Sequence, residues 1–154
     1  MIRRYRESDR EILKQITADT FENVSIDRNI ERKFGLIAGH GWKERKVRHI
    51  DADCDANPEG VFVYEEDGRV IGFLTSRIDA FTKIGWIPNM AVAEGHQGKG
   101  IGKQLLQECL AYFREHGMVM AKIETLDQNE IGLHLYPKLG FVEVATQIHY
   151  VMPL

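Results

Sequence analysis

The chain has 154 residues, of which 44% are hydrophobic and 28% charged, and its formal net charge is −3. This length and composition predict a single soluble domain over residues 1–154 and exclude disordered and collagen-like classes. The near-neutral charge indicates no general attraction to nucleic acid or to an anionic membrane. The sequence contains no apolar run of about 18 residues, so it predicts no membrane-spanning helix. We therefore expect a cytoplasmic protein without nucleic-acid or membrane partners.

The two cysteines, Cys54 and Cys109, are too few for a disulfide scaffold. They have no Cys/His spacing typical of zinc sites, and the six histidines share no ligand spacing either. We expect buried or half-buried thiols and no bound metal.

The N-terminal third predicts one strand followed by helices. A short strand is expected over residues 1–6, and the capping-box pattern Ser8-x-x-Glu11 predicts that Ser8 is the N-cap of the first helix. Asp27 is a second predicted N-cap, opening a charged stretch that runs to about residue 55. The glycines at 35, 39 and 41 predict that this stretch forms two helices.

From residue 61 the hydrophobic period changes to that of strands. The predicted elements are a hairpin of 61–64 with 70–74 around Asp67-Gly68, a strand over 84–93, a helix from 101 to 113 that ends at Gly117, a buried strand over 119–126, a helix over 129–139, and a closing hairpin of 141–144 with 148–152. Because proline has no N–H to donate, Pro88 predicts a bulge or an unpaired stretch within the strand 84–93. The pattern is that of an α/β domain with a mixed sheet.

Residues 89–103 predict a strand, a glycine-rich turn and the start of a helix. Glycines allow close approach of a ligand, and the free N–H groups of a first helical turn favour an anion, so a phosphate is the expected guest. The spacing does not match the phosphate-binding P-loop, because Gln104 follows Gly102-Lys103. The dinucleotide pattern G-x-G-x-x-G fails as well. A plain turn that only ends the strand stays open as the alternative.

Two motifs carry a resemblance to a known family. Gln97-Gly98-Lys99-Gly100-Ile101-Gly102 resembles the Q/R-x-x-G-x-G/A motif of the GNAT superfamily of acyl-CoA-dependent N-acyltransferases. Asn129 with Leu135-Tyr136-Pro137-Lys138-Leu139-Gly140-Phe141 resembles the asparagine and the L-Y-x-x-x-G-F signature of that family. The resemblance covers residues 61–152 and implies a single α+β domain: a mixed, mostly antiparallel sheet with splayed central strands and flanking helices.

The resemblance also implies which residues bind acetyl-CoA as co-substrate. Backbone groups of the strand before the turn would bind the pantetheine arm, and amides of the turn would surround the pyrophosphate. Asn129 would contact the coenzyme, although on its own it is equally suited to be a helix N-cap. The coenzyme-binding residues implied are Met90, Ala91, Val92, Gln97, Gly98, Lys99, Gly100, Ile101, Gly102, Lys103 and Asn129.

Two catalytic residues are implied. Tyr136 matches the family tyrosine that protonates the coenzyme A sulfur, the alternative being an aromatic residue that only packs. Glu124, five residues before Asn129, resembles the base glutamate of the ribosomal-protein N-terminal acetyltransferase branch, or is an ordinary polar residue on a half-exposed strand. The implied reaction is transfer of an acetyl group from acetyl-CoA to an amine by direct attack in a ternary complex. The alternatives are a non-catalytic acyl-CoA-binding module and an acyltransferase with a non-amine acceptor.

Residues 7–57 correspond to the part that varies most in such families, and we expect them to form acceptor-site helices. Residues 28–49 are locally basic. They form either a solvated face with ion pairs such as Glu44 with Arg48, or the wall of an acceptor pocket together with Phe21, Trp42 and Trp86. The expected partner is a small-molecule amine or a peptide amine, and a homodimer stays open.

Overall fold

The computed structural model describes residues 1–154, and its central element is a five-stranded sheet. The strands are β1 (Ile2–Arg4), β2 (Phe62–Glu66), β3 (Arg69–Asp79), β4 (Ile84–Val92) and β5 (Met120–Ile123). They lie in the order β1-β2-β3-β4-β5, and every neighbouring pair is antiparallel except β4 with β5, which is parallel. The predicted mixed, mostly antiparallel sheet is confirmed.

Five α-helices flank the sheet: α1 (Arg10–Thr20), α2 (Ile26–Phe34), α3 (Trp42–Ala56), α4 (Ile101–Glu115) and α5 (Glu130–Lys138). Apolar side chains of α1 and α3 pack on one face of the sheet, where Leu13, Ile50 and Phe73 are fully buried. Those of α4 pack on the other face, around Leu105 and Leu106. The core therefore consists of two apolar layers with the sheet between them.

Strand β4 carries one residue more than its partner β3. Thr75 pairs with Asn89 and Arg77 with Trp86, so Ser76 alone faces both Ile87 and Pro88. The bulge predicted from Pro88 is confirmed. Ile87 and Ala91 would share a face in a regular strand, but the extra residue places them in opposite apolar layers.

The same point in β4 ends its pairing with β5. The parallel register runs from Ile84 with Met120 to Ile87 with Ile123 and stops before Pro88. Residues 89–92 still pair with β3 on one side, while their other edge has no strand beside it. The sheet is thus split between its two C-terminal strands, as the resemblance implied.

Both predicted N-caps are wrong. The Asp9 carboxylate accepts from the Arg6 N–H at 2.8 Å and from the Arg3 guanidinium at 2.8 Å, so residues 7–9 form a 3₁₀ turn and Ser8 caps nothing. Ser25, not Asp27, caps α2, and its Oγ accepts from the Arg28 N–H at 3.4 Å. The separation of α2 and α3 at the glycines is confirmed, as are the first hairpin and the end of α4 at Gly117.

Two predictions for the C-terminal part are wrong. Strand β5 is four residues long, and Met120 is 67% exposed, so it is not a buried strand. No hairpin forms from 141–144 and 148–152: residues 142–154 make no backbone hydrogen bond, and their apolar side chains are exposed. Alternation of apolar residues indicates which side chains share a face, but a strand also needs an edge to pair with.

None of the five helices combines the length and the apolar character that crossing a bilayer requires.

Replacement of Gly85 by alanine tests how tightly β4 packs on α4. A Cβ atom at Gly85 would lie 2.6 Å from three atoms of the Phe113 ring. We expect Gly85→Ala to lower the free energy of unfolding by about 1–3 kcal/mol, measured by urea denaturation.

Gly102→Ala is the matched control, because the nearest atom to its Cβ would be Met90 Cε at 3.6 Å, an ordinary contact. Alanine is the better helix former, so this variant should be at least as stable as the wild type. Equal loss in both variants would contradict the packing.

Candidate active site

The open edge of β4 presents free backbone groups. The Ala93 N–H donates to Ile71 O at 2.8 Å. In an antiparallel pair every second residue directs its N–H and C=O toward the partner strand, so the backbone groups of Ala91 also point toward β3. The N–H and C=O groups of Met90 and Val92 point the opposite way, into the split. Of the three strand residues predicted for the pantetheine arm, Met90 has both groups available, Val92 has only its N–H available because its C=O accepts from Gln97, and Ala91 has none.

The glycine-rich turn joins this edge directly to the start of α4. Gly98 and Gly100 have φ of +75° and +79°, a region that side chains with a Cβ rarely adopt. Gln97 holds the turn to the strand, since its Nε2 donates to Val92 O at 3.0 Å. The first helical bond runs from Gln104 N to Gly100 O at 3.1 Å, so the three N–H groups before it have no partner within the helix.

The electrostatics of this helix end suit an anion. The first turn of α4 contains no acidic residue, and no side chain caps it. Lys99 and Lys103 are exposed beside it. Free amides at 101–103, the positive end of the helix dipole and two lysines together form a phosphate-binding geometry. The site fits a ligand that combines phosphates with a chain of amides, as coenzyme A does.

Helix α5 places Tyr136 against the same apolar layer as Met90. Its ring contacts Phe141 edge-on, with 6.1 Å between ring centroids. Burial raises the pKa of Tyr136 above its usual value, so the phenol keeps its proton. The hydroxyl forms no hydrogen bond with another protein group, which leaves its proton available to a ligand.

Asn129 is the N-cap of α5. Its Oδ1 accepts from the Gly132 N–H at 3.2 Å, and its Nδ2 donates to Thr125 Oγ1 at 2.8 Å. The structural role that the sequence left open is thus present, and a coenzyme contact stays a prediction.

Glu124 directly follows β5. Its side chain is 59% exposed and forms an ion pair with Lys122, with 2.8 Å between Oε1 and Nζ. Lys122 lies opposite Trp86 in the register and near its ring, so Glu124 is on the sheet face away from α4. The carboxylate is therefore largely solvated, and its role as a base stays a prediction.

A group of buried and half-buried polar residues that the sequence did not indicate lies on the α3 face of the sheet. Asp53, 2% exposed, accepts hydrogen bonds from Thr75 Oγ1 at 2.8 Å, Asn89 Nδ2 at 2.7 Å and Arg77 Nη2 at 2.7 Å. Asn89 Oδ1 in turn accepts from Lys46 Nζ at 2.7 Å. We call Lys46, Asp53, Thr75, Arg77 and Asn89 the polar array. Lys46 and Asp53 are two helical turns apart, but nothing in the sequence shows which strands they face.

Aromatic rings stand at both ends of the polar array. Lys46 Nζ lies 4.5 Å from the Phe21 ring centroid, and the Arg77 guanidinium lies 5.5 Å from that of Trp86. Two of the three predicted pocket walls therefore flank one set of polar groups. Trp42 is buried, 6% exposed, at the start of α3.

Helix α2 contacts the loop after β5. Asn29 Nδ2 donates to Gln128 Oε1 at 2.9 Å, and Gln128 Nε2 donates to Asn23 O at 2.6 Å. These bonds tie the N-terminal helices to the segment that carries Glu124. Most cations of the basic segment 28–49 either form local pairs, such as Arg45 with Asp27, or are exposed. The predicted pair of Glu44 with Arg48 is absent, since Glu44 pairs with His40.

The sheet is split, and the free edge of one strand leads to a helix end that suits an anion. This arrangement is typical of domains that bind an acyl carrier with both amides and phosphates. The chain belongs to the acetyltransferase (GNAT) family, whose sequence model matches residues 22–141.

Curated relatives are acetyltransferases of named acceptors. A mycothiol acetyltransferase of Thermomonospora curvata is 30% identical over 112 residues, which are 73% of this chain and 37% of the relative. A streptothricin acetyltransferase of Streptomyces lavendulae is 31% identical over 87 residues, 56% of this chain and 46% of the relative. The chain thus spans less than half the length of these relatives.

Solved structures share the fold. The PaiA N-acetyltransferase of Thermoplasma acidophilum, solved in complex with coenzyme A, matches with a TM-score of 0.74 at 18% identity. The match covers 96% of this chain and 92% of the PaiA chain. Ard1 of Thermoplasma volcanium has a TM-score of 0.70 at 24% identity, with coverages of 94% and 84%. The predicted fold class is confirmed.

Removal of the Asp53 carboxylate tests the polar array. Asp53→Ala leaves three donors without their acceptor, and we expect the free energy of unfolding to fall by about 3 kcal/mol. Thr75→Val removes one of the four hydrogen bonds that Asp53 accepts and should cost about 1 kcal/mol. Chemical denaturation of both variants gives the comparison. An Asp53→Ala loss no larger than that of Thr75→Val would contradict the central position of Asp53.

Proposed function

We propose that this protein transfers an acetyl group from acetyl-CoA to an amine acceptor by direct attack, without a covalent enzyme intermediate. The observation that carries the proposal is the unpaired edge of β4 leading into the free N–H groups of α4. Neither cysteine supports a covalent route: both thiols are buried, and burial raises the pKa of Cys54 to about 11 and that of Cys109 to about 12.

The coenzyme-binding residues divide into two groups. Met90 and Val92 offer the pantetheine amides a strand edge, much as a peptide pairs with the edge of a sheet. The N–H groups of Gly98 to Lys103 receive the pyrophosphate, Lys99 and Lys103 add positive charge, and Gln97 keeps the turn in place. Asn129 acts through its cap, which holds the start of α5 and thereby Tyr136.

Tyr136 is the proposed acid. Acetyl-CoA supplies an acetyl group activated as a thioester. The Tyr136 hydroxyl, protonated and free of protein partners, lies in the apolar layer shared with Met90, where it can give its proton to the departing sulfur.

Glu124 is the proposed base. A primary amine has a pKa near 10 in water and is almost wholly protonated at pH 7, so it must lose a proton before it attacks. Glu124 lies on the face opposite α4, at the end of the strand that borders the split, and its carboxylate can take that proton directly or through water.

The acceptor is proposed to be a small-molecule amine or a peptide amine that enters on the face covered by α1, α2 and α3. Residues 7–57 form these helices, and α2 reaches the loop that follows Glu124. The relatives named for mycothiol and streptothricin act on different acceptors, so their names do not select one for this chain.

A thiol-release assay with acetyl-CoA and a panel of amines tests the function. We expect release that depends on the amine, and Tyr136→Phe should lower kcat by roughly 100-fold while the Kd of coenzyme A stays unchanged. Tyr150→Phe, at an exposed tyrosine of the C-terminal segment, is the control and should behave as wild type. Binding of coenzyme A without release on any amine would favour a non-catalytic binding module.

The pH profile tests Glu124. If this carboxylate removes the proton from the amine, Glu124→Gln can use only the small fraction of amine that is already neutral in solution, so its kcat/KM at pH 7 should be roughly 10-fold or more below that of the wild type, and the deficit should shrink as the pH approaches the pKa of the amine. Glu115→Gln, at the distant end of α4, is the control. An unchanged profile in Glu124→Gln would remove Glu124 from the mechanism.

A further inference from the structure

Lys46 is a cation inside the polar array without a counter-ion of its own. Its Nζ donates to Asn89 Oδ1 at 2.7 Å, lies 4.5 Å from the centroid of the Phe21 ring, and forms no ion pair with any carboxylate. Its neighbour in the sequence, Arg45, pairs with Asp27 at 3.4 Å. Lys46 therefore differs from the cations of α3 that find local partners.

The one carboxylate of the polar array, that of Asp53, already accepts hydrogen bonds from other residues. Arg77 bonds Asp53 Oδ1, while Thr75 and Asn89 bond Oδ2. One carboxylate thus serves two cations, and a positive charge is left over at the Lys46 end. Burial lowers the pKa of Lys46 below its usual value, and the Asp27 and Asp53 carboxylates offset part of this effect. An anionic ligand would compensate the charge that burial disfavours.

The position of Lys46 places this charge at the acceptor side of the split. Asn89, its hydrogen-bond partner, directly precedes Met90, the first residue with free groups on the open edge of β4. The array lies on the sheet face opposite α4, from which an acceptor would approach. Lys46 itself is only partly buried.

We propose that Lys46 binds a carboxylate carried by the amine acceptor. The inference rests on the proposed function and narrows its substrate class to amines with a carboxylate a few atoms from the nitrogen, such as free amino acids. The Lys46 ammonium donates to the carboxylate, Asn89 holds that ammonium in place, and the Phe21 ring covers the carbon atoms between the two functional groups. Acceptors that carry only positive charge would meet a like charge here.

The experiment compares acceptors with and without this carboxylate, and kcat/KM is expressed per neutral amine because amidation also lowers the pKa of the α-amine. Each protein L-amino acid and its α-carboxamide are assayed as a pair for acetyl-CoA-dependent thiol release. We expect the wild type to prefer the carboxylate of the best pair by about 10-fold or more in kcat/KM, the gain of one charge-assisted hydrogen bond.

Lys46→Met should reduce this preference to about one by raising the KM of the carboxylate, with the KM of acetyl-CoA unchanged. Lys46→Arg keeps the charge and should keep a preference, which separates recognition from packing. Lys33→Met, at an exposed lysine of α2 in the same basic segment, is the matched control and should keep the full preference.

Three outcomes would overturn the inference: no preference in the wild type, equal loss on both members of a pair in Lys46→Met, or the same change in Lys33→Met. If thiol release occurs with the carboxamides and the amino acids are not preferred, only the carboxylate site is contradicted. No release with any amine contradicts the proposed function. In that case, calorimetric titration of the same pairs in the presence of coenzyme A still decides whether Lys46 selects the carboxylate.

Discussion

The extra residue at Ile87-Pro88 is the constraint on which the rest of the structure depends. Because Ser76 alone faces both residues, β4 changes which side chains it turns to each face, and its pairing with β5 ends at the same place. A proline without an N–H suits a position where a strand stops bonding to one neighbour. Without this bulge β4 and β5 could continue as partners, and no edge would be free for a ligand.

The bulge also assigns different chemistry to the two faces of the split. Beyond it, Met90 turns toward α4 and α5, where the protonated phenol of Tyr136 and a positive helix end are found. Asn89 turns toward α3, where it joins a buried carboxylate and two cations. In the proposed function one face serves the coenzyme and the other the acceptor, with a single strand contributing to both.

Three differences between sequence and structure arise from partners that the local pattern does not include. Ser8 had the local pattern of an N-cap, but Arg3 and Asp9 form the turn instead. The C-terminal segment had the alternation of a hairpin, but no strand edge accepts it. The polar array joins residues that lie between positions 46 and 89. In the sequence alone, Lys46 and Asp53 are part of a charged helix and indicate only a solvated face.

The sequence by itself determined the elements whose causes are local. Glycine spacing at 98–102 predicts the turn and the helix start, Pro88 predicts the bulge, and the pair of motifs indicates the family, because each depends on residues within a few positions. Only the tertiary structure decided that the backbone groups of Ala91 are paired with β3, that Asn129 caps α5, and that Lys46 faces inward without a counter-ion. Such facts depend on which groups remain unpaired after packing, and packing joins parts of the chain that the linear sequence keeps apart.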